Sequence, residues 1–285
     1  MATEKPQESH YWLKPDEEER ARLNNQHRVL IQIIENEVLH APIDPSTIVR
    51  VADVGTGTGI WLDALAAHLD PIPTASGQPR QYDGLDISPA HFPASHPENF
   101  HYDVYNILQP VPEELKEKYD LVHVRLLVAA LSKGDMNTAV DNLAQLLRPG
   151  GWIQWDELDG DSWAGRVPSS HVSEMNELVR KHMGTKGMEL HVPAAFVEAA
   201  EAHPHLQSVS ERIFNTIKGG SELKDAVNLV FLWSCTRSTK MILQASGTPR
   251  AEEEFERLAE GAKADIERDE IFWDSDEHVL LAQKK

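Results

Sequence analysis

Residues Val51-Ala52-Asp53-Val54-Gly55-Thr56-Gly57-Thr58-Gly59 set a carboxylate ahead of three alternating glycines. Upstream, Ile48 to Val54 is a short β-branched run that predicts a buried strand. Downstream, Ile60 to Leu69 predicts a helix that starts with no intervening loop. A strand feeding a helix through glycines opens a βαβ unit and commits the chain to a parallel sheet with covered faces. Glycines let backbone turn tightly and let a ligand lie against it, and the helix start offers unpaired N–H groups to an anion. The plainer alternative is a connection that uses glycine only to turn.

Further strands are predicted at Tyr82–Ile87, Phe100–Val104, Tyr119–Val124 and Trp152–Asp156, the last after a helix from about Asn137 to Leu147 and a turn at Arg148-Pro149-Gly150-Gly151. Apolar residues at helical spacing (Leu23, His27, Leu30, Ile31, Ile34) predict a helix from Asp16, its N-cap, to about His40. After Asp161, residues 169–183, 193–203 and most of 221–268 read as helical, with strands at Leu206–Ile217 and Glu277–Gln283. A P-loop would need Gly-Lys-Ser/Thr, which is absent, and a dinucleotide fingerprint would need glycine where Ile60 stands. The second point disfavours a nicotinamide-dependent oxidoreductase.

Asp53 followed by the three glycines resembles the cofactor loop of class I S-adenosylmethionine-dependent methyltransferases. Within that class, Tyr11-Trp12-Leu13 with Glu19, Arg22-Leu23 and Gln26-His27, then Gly59-Ile60-Trp61, Asp86-Ile87-Ser88-Pro89, His123-Val124-Arg125 and Leu147 to Trp152, are similar to the fungal secondary-metabolism group. That group includes relatives of a global regulator and epidithiodioxopiperazine thiol methyltransferases; the motifs span about residues 11–160. The resemblance implies an α/β Rossmann-like fold with a seven-stranded, mainly parallel sheet ending in an antiparallel strand. A helical segment over residues 1–45 would cover the cofactor, and helical insertions near 160–203 and 221–268 of a 46–285 methyltransferase domain would roof the substrate.

The same resemblance implies S-adenosylmethionine held by Asp53, Gly55, Gly57 and Gly59. Asp86 would accept the ribose hydroxyls, with Ile87 and Ser88 under the adenine. Asp103 would contact the adenine amine and the Val104 backbone N–H would assist. Tyr11 and Arg22 would fold over the methionine end, although Arg22 on an amphipathic helix suits solvent equally. Arg125 could orient cofactor or substrate, or pair with Asp120 or Asp156. His123, Asp156 and Glu157, at the carboxyl ends of strands, are weak candidates for catalysis. His27 reads as a satisfied packing histidine, Trp61 as sheet packing and Cys235 as a buried inert thiol.

Lys and Arg total 27 against 46 Asp and Glu, a net charge of -19. Such a surface disfavours nucleic acid and anionic membranes. One cysteine precludes an intrachain disulfide, and no signal-peptide pattern opens the chain, so a cytoplasmic protein is expected. His91, His96 and His101 match no zinc spacing and no metal is expected. No residue stands out as a general base, which tilts the acceptor of a small-molecule substrate towards a thiol. A regulator that keeps the fold but acts through protein partners is the alternative from another class.

Overall fold

A computed structural model describes residues 16–128, 130–160, 169–216, 220–247, 249–268 and 273–285. Seven strands, β1 (Arg50–Val54), β2 (Gln81–Asp86), β3 (Phe100–Val104), β4 (Tyr119–Arg125), β5 (Leu147–Leu158), β6 (Leu206–Asn215) and β7 (Asp276–Lys284), form one sheet in the order β3-β2-β1-β4-β5-β7-β6. The first five pair in parallel, and β7 runs antiparallel between β5 and β6. The strand order reverses between β1 and β4, the place where open α/β sheets leave a crevice for ligands.

Among the described residues seven α-helices accompany the strands: α1 (Glu17–Ile33), α2 (Ile60–Leu69), α3 (Met136–Leu146), α4 (Ser170–Thr185), α5 (Val192–Ala202), α6 (Gly220–Ser246) and α7 (Ala251–Glu267). One sheet face packs Leu30 and Ile34, Trp61 and Leu65, Met175, Phe231 and Leu258 over Val51, Leu121 and Val279. The other packs α3 and α5 residues such as Leu143 and Phe196 over Val122, Ile153 and Trp155. β1 and β4 are buried almost throughout, as parallel strands covered on both faces must be, and their polar residues Asp53 and His123 are buried with them.

Asp16 caps α1 as its sequence predicts, accepting from the Glu19 N–H at 2.8 Å. The helix stops at Ile33 rather than running on to His40. Glu35 and Asn36 take left-handed φ values of 63° and 60°, and the Asn36 N–H returns to the Ile31 carbonyl at 2.8 Å. Gln154 of β5 then captures the freed chain, accepting from the His40 and Ala41 N–H groups and donating to the Val38 carbonyl. The predicted turn at residues 148–151 is the entry of β5, which carries a register shift between its Tyr119 and Leu121 pairings.

Candidate active site

A cavity of about 510 Å³ opens over the β1–β4 crevice, bounded by the glycine loop, α1, the chain after β3, the chain after β4, α4 and α6. Gly55, Gly57 and Gly59 have φ values of 76°, 52° and 77°, where side-chain-bearing residues are strained. Gly59 is further constrained by Tyr102, whose hydroxyl would lie 2.3 Å from an added Cβ. At Gly57 an added Cβ would touch only Leu23, at 3.7 Å. The loop therefore bares its backbone to the cavity at Gly57 and packs tightly against the sheet at Gly59.

Asp86, at the tip of β2, accepts from the Gly57 N–H at 2.9 Å and the Ser88 N–H at 3.0 Å. These bonds fix the carboxylate on the cavity wall. Burial raises its pKa; the two backbone donors oppose that rise. Ile87, Ser88 and then Tyr105 to Leu108 line the same end. Asp103 and Val104 end the edge strand β3 short of the cavity, and Val104 is 62% exposed. The chain reaches the wall only after the Tyr105 N–H bonds the Asp86 carbonyl at 2.8 Å.

Asp53 and His123 face each other across β1 and β4. His123 Nδ1 lies 2.7 Å from one Asp53 carboxylate oxygen, and the other accepts from the Thr56 hydroxyl at 2.7 Å. His123 Nε2 lies 3.2 Å from Asp156, and the Trp61 ring stacks on the imidazole at 3.6 Å with planes 1° apart. Asp156 thus turns to His123 and does not border the cavity. Glu157 is buried on the opposite face, where it accepts from the Leu127 N–H at 2.8 Å and from Trp155 Nε1 at 3.2 Å. Burial pushes its pKa up to about 8. It anchors the chain leaving β4, where Leu126 takes a left-handed φ of 53°, a strained turn in the cavity wall. Neither carboxylate is placed to take a proton from a substrate in the cavity.

Arg125 borders the cavity with a buried Nη1 that has no hydrogen-bond partner, and it bonds neither Asp120 nor Asp156. Asp120 instead accepts from the Val49 and Arg50 N–H groups and pairs with Arg148. Arg22 is not in solvent: 5% exposed, it grips Glu19 through two bonds of 3.0 and 2.7 Å and also reaches Gln26 and Ser234. Arg237 of α6 bonds Asp16 and Glu18 and meets Glu19 at 3.2 Å, holding α1 over the cavity. Tyr11 lies outside the described residues.

His27 departs from the expected satisfied histidine. It is 6% exposed, lines the cavity, and its buried Nδ1 has no partner. Burial, then the charges of Arg125 and His123, lower its pKa to about 2. The imidazole is therefore neutral. Cys235 is buried and donates to Asn176 Oδ1, with burial raising its pKa to about 12. The remaining wall, from Leu126, Leu127, Leu131, Val179, Met183 and Phe231, is apolar. Among the described residues no cluster of three or more His, Cys, Asp or Glu could hold a metal ion, and no helix is long and apolar enough to cross a membrane.

This donor set suits an adenosyl amino acid. Asp86 stands on the cavity wall with each carboxylate oxygen held by one backbone N–H, and the loop is open at Gly57. The orphaned Arg125 nitrogen supplies a donor for a carboxylate, beside Asp53 on the neighbouring strand. A parallel sheet reversing at such a crevice, with a glycine loop and an acidic residue ending the next strand, defines a Rossmann-like class I methyltransferase.

Comparison with known proteins agrees. The family model described as a methyltransferase domain matches residues 52–153. The chain is 88% identical over 285 residues, the full length of both, to methyltransferase grgD of Penicillium sp. It is 37% identical over 168 residues to N-methyltransferase sirN of Leptosphaeria maculans, covering 58% of this chain and 56% of that protein. The solved complex of Haemonchus contortus phosphoethanolamine N-methyltransferase 2 with S-adenosyl-L-methionine is 14% identical, covering 90% of this chain and 52% of that one, with a TM-score of 0.49. The chain belongs to the methyltransferase family, and its cofactor is S-adenosylmethionine.

Proposed function

We propose that this enzyme methylates a heteroatom of a small, largely apolar secondary metabolite inside the cavity over the β1–β4 crevice. The observation that carries the reading is the division of that cavity. Asp86, the glycine loop, Asp53 and Arg125 make one end polar, while Leu126, Leu127, Val179, Met183 and Phe231 make the other apolar. Asp86 would hold the ribose hydroxyls, Arg125 the amino-acid carboxylate and Tyr105 to Leu108 the adenine edge. Arg22, committed to Glu19, would shape the wall rather than bind the carboxylate.

When bound, S-adenosylmethionine supplies an electrophilic methyl group on a sulfonium. The apolar wall and α1 exclude water and hold the acceptor in line at about 3–3.5 Å, which is most of what an SN2 transfer requires.

With Asp156 and Glu157 turned elsewhere and His27 too weak a base, the site favours an acceptor that is nucleophilic unaided, a thiol above oxygen or nitrogen. The relative named as an N-methyltransferase supports nitrogen as the second reading. Titration calorimetry with S-adenosylhomocysteine tests the first step, and absence of saturable binding refutes the proposal. Mass spectrometry of product formed from thiol, hydroxyl and amide metabolites then locates the methyl. Transfer confined to nitrogen would remove the thiol preference.

A further inference from the structure

Buried polar groups on one sheet face join in a line that the methyl transfer does not by itself require. It starts at the Thr56 hydroxyl in the glycine loop and passes through Asp53, His123 and Asp156. Gln154 continues it, donating to Asp156 at 3.2 Å and holding residues 38–41, the linker that follows α1. Asp53, His123, Gln154 and Asp156 are at most 3% exposed. The line thus connects two walls of the cavity, the cofactor loop and the helix that closes over it.

We propose that His123 is a positioning residue for cofactor binding: clamped between Asp53 and Asp156, it fixes the Asp53 carboxylate behind the glycine loop and ties that loop to the linker carrying α1. The proposal rests on the reading that the cavity takes S-adenosylmethionine.

Carboxylate oxygens only accept hydrogen bonds, and each ring nitrogen of His123 faces one. With both aspartates ionised, both nitrogens carry protons, which makes the ring an imidazolium. A neutral ring would turn a lone pair towards one carboxylate. Burial opposes this charge, but the hydrogen bonds and charges of Asp156 and Asp53 together outweigh it and raise the pKa.

The other titratable groups acting on the line include Arg125 on the same strand, His27 on α1, His40 in the linker, Glu277 on β7, Asp86 on β2 and Tyr102 on β3. Burial, as the leading cause, keeps both histidines neutral and raises Glu277 well above the carboxylate range. His123 and Arg125 are then the cations that balance Asp53 and Asp156. Because the pKa of His123 is raised, the clamp persists to higher pH than an ordinary histidine would allow and is lost as pH rises through the folded value.

The test is calorimetric titration of S-adenosylhomocysteine into the full chain, wild type and His123→Gln, from about pH 6.5 to about pH 9.5. Wild-type affinity should stay level near neutrality and fall at alkaline pH. The variant should bind about tenfold more weakly at pH 7, the scale of one lost charge-assisted hydrogen bond, with a flatter profile. Identical affinities and profiles would overturn the proposal. Imidazole nitrogen NMR of the wild type provides a readout that needs neither the variant nor a ligand: two protonated ring nitrogens on His123 at pH 7 are expected, and a neutral tautomer overturns the clamp. Failure of the wild type to bind at any pH would strike the cofactor reading, and the NMR spectrum would still decide the clamp.

Discussion

Asp86→Asn is the sharpest probe of the site, because it alters charge with almost no change of shape. The carboxylate accepts one backbone N–H on each oxygen, Gly57 at 2.9 Å and Ser88 at 3.0 Å. An amide has one accepting oxygen, so its NH2 must confront one of those N–H groups. A buried donor left unmet costs about 1–3 kcal/mol of stability. Separately, two hydroxyl bonds to a carboxylate become bonds to a neutral group. At about 1 kcal/mol lost for each, the expected drop in S-adenosylhomocysteine affinity is roughly thirtyfold. The decisive comparison is with the 2′-deoxy analogue of that ligand. Wild type should lose about tenfold on removal of the hydroxyl, and the variant no more than about threefold, because the partner is already impaired. Calorimetry gives both ratios, and thermal melts separate them from the stability loss. Equal deoxy penalties in the two proteins would refute the assignment of Asp86 to the ribose. Since burial raises the pKa of Asp86, wild-type affinity should also begin to fall on acidification at a higher pH than an ordinary carboxylate would allow.

Gly59→Ala should destabilise without needing a ligand to report it. A left-handed φ of 77° and a Cβ 2.3 Å from the Tyr102 hydroxyl together cost about 2–4 kcal/mol, seen in a chain of this length as a melting temperature lower by about 3–7 °C. An unchanged melt would refute both the backbone strain and the Tyr102 clash at this position. Arg125→Met should weaken S-adenosylhomocysteine about tenfold while leaving 5′-methylthioadenosine, which lacks the amino-acid carboxylate, unaffected. Equal losses for both ligands would place Arg125 elsewhere than at the carboxylate.

The sheet was legible because its signals are local. Runs such as Val51–Val54 and Leu121–Val124 are β-branched and mostly apolar, with one polar residue each, and the glycines after Asp53 mark the turn wherever the rest of the chain goes. Asp86 was legible for the same reason, as the last residue of a strand one crossover later. What escaped depends on contacts between distant residues. The left-handed pair Glu35 and Asn36 ends α1, and the path of the chain after it is set by Gln154, more than a hundred positions away, which holds Val38. The strained turn at Leu126 is held by Glu157 from the neighbouring strand, and no glycine announces it. Arg22 carried a usable hint, since Glu19 lies three residues earlier on the same helical face. Nothing in sequence marks that face as buried, and burial turns a solvent pair into a fixed part of the wall. For His27 the spacing identified an inward-facing residue, but only the cavity beside it explains why its Nδ1 is left without a partner.

Charge organises the whole molecule in two tiers. A net charge of -19 makes the approach field favourable for a net cationic cofactor at any point on the surface. Such a field cannot select one, since any cation would be drawn in equally. Selection has to come from the buried stripe, where Asp53 and Asp156 are balanced by His123 and Arg125 while burial keeps Glu277 and His27 uncharged. Asp53 and Arg125 border the cavity from adjacent strands, so the stripe presents a separated minus and plus with little net charge. A simple ammonium or a simple carboxylate would satisfy one half and leave the other desolvated. On the proposed reading a zwitterion spanning both would recover the cost of removing each from water, so that the methionine end of the cofactor, and not its positive charge as such, would be what this face of the sheet reads.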